Sequence, residues 1–239
     1  PGWSDPYLLL EKMDEKLQDL QRVEDTYRQA LSRNPAATDV ADKLMTLLER
    51  QRRFSEAEEV LEQIQADPTV SSTWHIRRAV NAGDFSRAIE ELTVRVSQND
   101  RDASSRILLA RLVYWETRDA DEAFRHLQEA EAIAPASLAL IAAKVSILRA
   151  EDQGPRAQQI LDEHVAQNHD FGAYAIRAMY LAQEGESVNA EKDYQTLTTF
   201  GEQGAKGYQL WSDFYVRDQR FDRAVLVLEQ GLNEYSRDL

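Results

Sequence analysis

One short pattern returns along the whole chain at nearly equal intervals. It is visible in "RRFSEAEEVL" (52–61), "GDFSRAIEEL" (83–92) and "QRFDRAVLVL" (219–228), where a ring precedes an alanine by three residues and a large apolar residue follows it by four. With that small residue as an anchor, the pattern occurs seven times at intervals of 31 to 35 residues. Self-similarity at such a period indicates a repeat architecture. The anchors are Val23, Ala57, Ala88, Ala123, Ala157, Ala190 and Ala224.

Each anchor begins the second of two helical segments. A first segment with helical apolar spacing precedes it, as in "YLLLEKMDEKL" (7–17) and "YQLWSDFYVR" (208–217). Two helices in about 34 residues, with a small residue at their closest approach, resemble the tetratricopeptide repeat (TPR) family over essentially the whole chain. Pro35 and Pro135 each lie twelve residues after an anchor, where the family often has a proline after its second helix.

The resemblance implies an all-α fold, an α-solenoid of about seven helix-turn-helix repeats and about fourteen helices wound into a right-handed superhelix. We expect a single domain over residues 1–239, because each repeat must bury its apolar stripe against its neighbours. The expected repeats are approximately 4–37, 38–68, 69–102, 103–137, 138–170, 171–204 and 205–239.

The first helices follow the family pattern less closely than the second ones. Ala178 and Ser212 supply the expected small residue in repeats 6 and 7, and Ala110 supplies it in repeat 4 if one residue is inserted in "ETRDADEA" (116–123). Repeat 3 is three residues short, so we expect a stunted first helix around 73–81. In repeat 5 the register is ambiguous, and Pro155 is placed to begin a second helix.

Composition excludes several classes of function. The net charge of −14 disfavours binding to nucleic acid or to anionic membrane surfaces. Without cysteine there are no disulfides and no thiolate metal sites, and the compartment stays undetermined, cytoplasmic or exported. No apolar run approaches the ~20 residues that span a bilayer. The chain opens "PGWSDPY" without a methionine, which suggests a processed product or a segment of a longer protein.

No catalytic, metal or cofactor site is expected. The four histidines never pair at the i,i+3 or i,i+4 spacing of a helical metal site. The stretch "GEQGAKG" (201–207) lacks the residue order of a phosphate-binding loop and is interpreted as a loop, with a possible hinge, between repeats 6 and 7. The sequence therefore predicts a protein that is not an enzyme and needs no cofactor.

The resemblance places the candidate partner site on the concave face, which the first helices line. The Lys and Asn set with which some family members clamp a carboxylate terminus is not found here. Tyr114 and Trp115 either face this groove or pack between repeats, since aromatic residues at helical spacing often belong to a core. The predicted groove residues are Arg77, Asn81, Arg111, Tyr114, Trp115, Arg149, Met179 and Gln183.

Charge and apolar patterning suggest two further surfaces. Residues 151–200 carry nine acids and three bases, so a partner touching them is expected to be basic or of mixed charge. In repeat 7, Leu226 and Val227 replace residues that are usually polar elsewhere, and Val225 precedes them. The "YSRDL" after Glu234 is too short for a covering helix. We expect this patch to be covered by further repeats, another domain or a second copy of the chain.

The leading hypothesis is a protein-protein interaction scaffold that binds a peptide or helix of another protein in the concave groove. Two alternatives stay open: a recognition or regulatory segment of a larger enzyme, such as a glycosyltransferase or kinase, and an envelope assembly factor in polysaccharide export.

Overall fold

The described residues form helices connected by short turns. A computed structural model of the chain describes residues 20–63 and 68–235, and within them there are thirteen α-helices and no strand. A single 3₁₀ turn, Gly201–Gln203, precedes α12. The predicted first helix over 7–17 lies outside the described residues. The helices are α1 (Leu20–Arg33), α2 (Thr38–Arg50), α3 (Phe54–Gln63), α4 (Pro68–Ala82), α5 (Phe85–Gln98), α6 (Ala103–Thr117), α7 (Ala120–Ile133), α8 (Leu138–Ala150), α9 (Gly154–Asn168), α10 (Phe171–Gln183), α11 (Ser187–Leu197), α12 (Gly204–Arg217) and α13 (Phe221–Tyr235).

Contacts divide the chain into two compact units. One extends to Arg95 and the other begins at Val96. In both units the helices pack in consecutive pairs, such as α2 with α3, α6 with α7 and α12 with α13. The all-α solenoid of helix pairs is therefore confirmed, whereas a single domain over 1–239 stays a prediction.

The anchors are the points of closest packing. All seven are buried, and five of them are completely inaccessible. The large residue four positions later is also buried in the first six repeats, and only Leu228 in repeat 7 is exposed there. A small residue lets paired helices approach closely, and close packing of this kind is typical of protein interiors.

The turn inside each described repeat pair has the same backbone signature. The residue five positions before the anchor has a positive φ in repeats 2 to 7, although only two of the six are glycine. In five of these turns the next amide bonds back to the carbonyl five residues earlier, which ends the first helix in a Schellman motif. These bonds are 2.8–2.9 Å long and run from Arg53, Asp84, Gln153, Glu186 and Arg220 to Leu48, Ala79, Leu148, Leu181 and Tyr215, respectively.

Some of the predicted positions and lengths of the helices agree with the structure, and one does not. Ala110 is completely buried while Arg111 is exposed, which confirms the shifted register of repeat 4. Pro155 lies in the first turn of α9, as expected. The prediction of a stunted first helix in repeat 3 is wrong, because α4 has 15 residues and begins at Pro68. Proline is tolerated at the start of a helix, where its missing N–H has no partner to lose.

The glycine-rich stretch 201–207 is not simply a loop. Gly204 begins α12, and Gly204 and Gly207 are both buried. A Cβ on Gly207 would lie 2.5 Å from the carbonyl carbon of Leu197 at the end of α11. The glycines therefore allow two helices to pack in direct backbone contact.

Candidate functional site

The first helices of repeats 5 and 6 line an open depression. It lies between α8 and α10, in the unit that begins at Val96, and has a volume of about 520 Å³. Its walls are largely apolar, with Arg149 and Gln183 at polar positions. The lining residues are Ala142, Val145, Ser146, Arg149, Ala150, Ile176, Met179, Tyr180 and Gln183.

A second depression of about 150 Å³ continues the first toward repeat 7. The two share Met179 and Gln183, so they form one groove across α8, α10 and α12, which we call the α8–α12 groove. On the far side it is bordered by Arg217 and Asp218 of α12 and its C-terminal turn. The floor there is built by Tyr194 and Phe214, whose rings stack with centroids 5.1 Å apart.

Arg149 is held at the edge of the groove by two partners. Its Nε lies 2.6 Å from Oε1 of Glu184, and its Nη1 donates a 2.6 Å hydrogen bond to Oε1 of Gln183. Both partners come from the C-terminal end of α10. The planar guanidinium is thus oriented beside the apolar floor, where it can recognise a carboxylate or stack on a flat group.

The adjacent residues Tyr114 and Trp115 have opposite environments. Tyr114 is 3% exposed, and its hydroxyl donates a 2.7 Å hydrogen bond to Oε1 of Glu151. Burial, assisted by that carboxylate, raises the pKa of the Tyr114 hydroxyl. Trp115 is 55% exposed, with the Arg118 guanidinium 5.0 Å from its ring centroid. Tyr114 is therefore a packing residue and the prediction that it lines a groove is wrong, because its ring fills space between α6 and α8.

The other predicted groove residues are distributed over both units. Arg111 is exposed on α6. Arg77 belongs to the unit that extends to Arg95, where its Nη1 lies 2.7 Å from Oδ1 of Asp42 on α2. Asn81 is exposed near the end of α4 in the same unit. Of the eight predicted residues, Arg149, Met179 and Gln183 line the same depression, Arg149 from α8 and the other two from α10.

Two ion clusters, each built around one buried carboxylate, give part of the charged residues a structural role rather than a catalytic one. In one, Glu24 is almost completely buried and accepts hydrogen bonds from Arg53 and Arg28, at 2.5 Å and 2.8 Å. The hydrogen bond from Arg53, more than any other contact, lowers the pKa of Glu24. Such clusters fix the position of neighbouring helices and leave no free base or nucleophile.

The second cluster pairs some of the acids of residues 151–200 with an arginine. Arg177 on α10 binds both carboxylate oxygens of Asp193 on α11, at 2.7 Å and 2.8 Å, and it also lies 3.0 Å from Asp162 on α9. With Glu184, which pairs with Arg149, three of the nine acids are therefore ion-paired inside the unit. The others include Glu163, Asp170 and Glu186, which are exposed.

The three residues of the predicted patch on repeat 7 differ in burial. Val225 and Leu226 are exposed, but Val227 is buried against the core that includes Phe214 and Tyr215. The prediction for Val227 is wrong because it lies on the side of α13 that faces α12. Leu228, although it follows the anchor by four residues, is exposed instead.

Sequence reasoning missed much of the apolar lining of the α8–α12 groove. Val145, Ile176, Tyr180 and Phe214 all lie on first helices, where the repeat pattern does not distinguish groove residues from core residues. Arg217 could have been predicted from the sequence. It precedes its anchor by seven residues, as the predicted groove residue Gln183 does.

Other kinds of site find no support in the described residues. Over 20–63 and 68–235, histidine, aspartate and glutamate nowhere gather in a group of three or more that could hold a metal ion. In the same part of the chain, every helix is too short or too polar to cross a membrane.

Comparison with known proteins identifies the fold but gives no close relative. No protein-family model matches the chain, and no curated protein matches it in sequence. A tetratricopeptide repeat protein from Parabacteroides merdae superimposes with a TM-score of 0.56 at 15% identity, over 98% of this chain and 93% of that one. Human IFIT1, solved as a dimer with PPP-AAAA, gives 0.54 at 14% identity, over 88% of this chain and 58% of that one. At such identities these likenesses show the fold alone.

Proposed function

We propose that this chain, which has the fold of tetratricopeptide repeat proteins, is a non-enzymatic scaffold that binds a segment of another protein in the α8–α12 groove. The observation that carries the proposal is the groove itself, a continuous concave surface with an apolar floor and charged edges. Concave, mostly apolar surfaces with a few oriented polar groups are the usual form of a binding site.

The groove suits an extended segment or a helix with one large apolar side chain. That side chain would enter the depression between α8 and α10, where Met179 is 40% exposed and Val145 and Ile176 form the walls. Arg149 and Arg217 would pair with acidic groups, and Asp218 with a basic one. A segment of mixed charge with an apolar centre fits this surface.

The proposed surface extends from α8 to α6. Trp115 and Arg149 each precede their anchor by eight residues, and α6 packs beside α8 in the same unit. Exposed Trp and Arg side chains are frequent anchors of protein interfaces. Arg111 and Trp115 are therefore included in the proposal, while Arg77 and Asn81, in the other unit, stay predicted groove residues.

The exposed acids of residues 151–200 add a preference for basic residues outside the groove. Glu163, Asp170 and Glu186 are exposed, and the segment has an excess of six acids over bases. Complementary charge increases the rate of association and the specificity for one partner. We expect partner residues beyond the central apolar side chain to include Lys or Arg.

Selection from a random peptide library displayed on phage, followed by calorimetry, tests this function. Peptides enriched on the parent chain should lose at least about tenfold in affinity for Met179→Glu, because a charge would enter the apolar floor without a partner. Val188→Glu is the matched control, since Val188 is exposed on α11 and does not line the groove. Equal loss in both variants, or none in Met179→Glu, would contradict the groove as the binding site.

A further inference from the structure

Helix α13 carries an exposed apolar stripe that does not belong to the α8–α12 groove. Phe221, Val225, Leu228 and Leu232 are 60%, 55%, 44% and 67% exposed, respectively. Their spacing of four, three and four residues places them along one side of the helix. We call these four residues the α13 stripe.

Leu228, in the middle of the α13 stripe, occupies the place where repeats 4 and 6 receive the next repeat. Leu127, the equivalent of Leu228 in repeat 4, is buried in one core cluster with Leu140 of α8. In repeat 6 the equivalent residue, Tyr194, stacks on Phe214 of α12. The stripe therefore continues an interface that the array already uses, in which a first helix covers the preceding second helix.

The charges beside the stripe indicate what kind of helix fits. At about 100° per residue, Asp222 and Glu229 lie within about 60° of Val225, on the side away from the buried face. Arg223 lies about 160° from Val225 and so on another side of the helix. Both charged residues that border the stripe are exposed acids.

We propose that the α13 stripe binds an amphipathic helix of a partner protein, whose apolar stripe is bordered by Lys or Arg. Its apolar residues would cover Val225, Leu228 and Leu232, and its basic residues would pair with Asp222 and Glu229. A second copy of this chain fits less well. It would present the same acidic border, on a molecule with a net charge of −14.

Two synthetic helical peptides test the chemistry of this surface. Both carry the same leucine stripe, and the flanking positions are Lys in one and Glu in the other. Fluorescence anisotropy with the full chain at about 0.1 M salt should show that the Lys-flanked peptide binds at least about tenfold tighter. Equal binding of the two peptides would overturn the proposal.

Substitutions of exposed residues test whether the peptides bind at the α13 stripe. Asp222→Lys with Glu229→Lys should reverse the preference in favour of the Glu-flanked peptide. Leu228→Lys with Leu232→Lys should abolish binding of the Lys-flanked peptide. Glu59→Lys with Glu90→Lys is the matched control, because it changes the net charge by the same amount at exposed sites in the other unit and should behave as the parent.

Three results would overturn the proposal. The first is an unchanged preference in the Asp222 and Glu229 variant, and the second is undiminished binding in the Leu228 and Leu232 variant. The third is sedimentation velocity showing that the parent is a dimer and that the leucine variant is a monomer, because the occupant would then be a second copy.

Discussion

At the scale of single residues, the contrast between Tyr114 and Trp115 shows how one helix separates packing from recognition. The two side chains leave α6 about 100° apart, so one enters the interior while the other points outward. Tyr114 joins the core with Leu127 and Ile147, whereas Trp115 is more than half exposed, with Arg118 over its ring and an edge contact to the ring of Tyr114.

The difference predicts unequal effects of truncation. Tyr114→Ala should lower the free energy of unfolding by about 3 kcal/mol or more, because a cavity opens and the carboxylate of Glu151 loses its donor. Trp115→Ala should lower it by less than about 1 kcal/mol, since its main contact is an exposed cation–π pair. Urea denaturation followed by circular dichroism measures both variants. A larger loss for Trp115→Ala would show that its ring, rather than that of Tyr114, is the packing residue.

Sequence alone could not separate these two residues. Both are aromatic, they are adjacent, and the repeat register of α6 was known only to within a residue. A shift of one residue in a helix rotates every side chain by about 100°, which exchanges the buried and exposed sides. The anchors, in contrast, were predictable, because seven small residues at a regular period are compatible with only one alignment of the second helices.

At the scale of elements, the turns within repeats depend on backbone conformation more than on residue type. Gly83 and Gly185 adopt the left-handed conformation without a steric penalty, whereas Arg52, Asp152 and Gln219 adopt it with a side chain present. In all five turns the amide of this residue bonds to the carbonyl three residues earlier, and the next amide bonds to the carbonyl five residues earlier. The packing of the following helix therefore maintains a conformation that the residue itself disfavours.

This strain predicts that Gln219→Gly stabilises the chain. The left-handed region costs a non-glycine residue about 1–2 kcal/mol, and the larger entropy of glycine in the unfolded chain offsets about 0.5–1 kcal/mol of that gain. The net increase in the free energy of unfolding should be about 0.5 kcal/mol. The reciprocal control, Gly185→Gln, should destabilise the chain. Thermal denaturation in which Gln219→Gly melts at or below the parent temperature would contradict this account.

Element boundaries were predicted well where small residues and prolines mark them, and poorly where a glycine has a packing role. The shortened repeat 3 suggested a short α4, but the helix simply begins at Pro68. The glycines of 201–207 suggested a loop, because a sequence does not show that α12 must pass within backbone contact of α11.

At the scale of the whole molecule, two compact units share one repeat pattern, and they offer different surfaces. The unit that begins at Val96 contains both the α8–α12 groove and the α13 stripe. The repeat pattern predicted that a groove would be lined by first helices, and Arg149, Met179 and Gln183 of that prediction line one depression, while their role in binding stays a prediction. It could not predict the depth of the groove, because that depends on which residues of adjacent helices, such as Val145 and Ile176, are drawn back from the surface.

The central claim is that the first helices of repeats 5 to 7 form the partner-binding surface. Hydrogen–deuterium exchange of the full chain, with and without a library-selected peptide, tests it most directly, since bound segments lose local opening. We predict added protection in α8, α10 and α12, and little change in the second helix α9, which contributes no residue to the groove. Protection confined to the second helices, or to the unit that extends to Arg95, would contradict the claim.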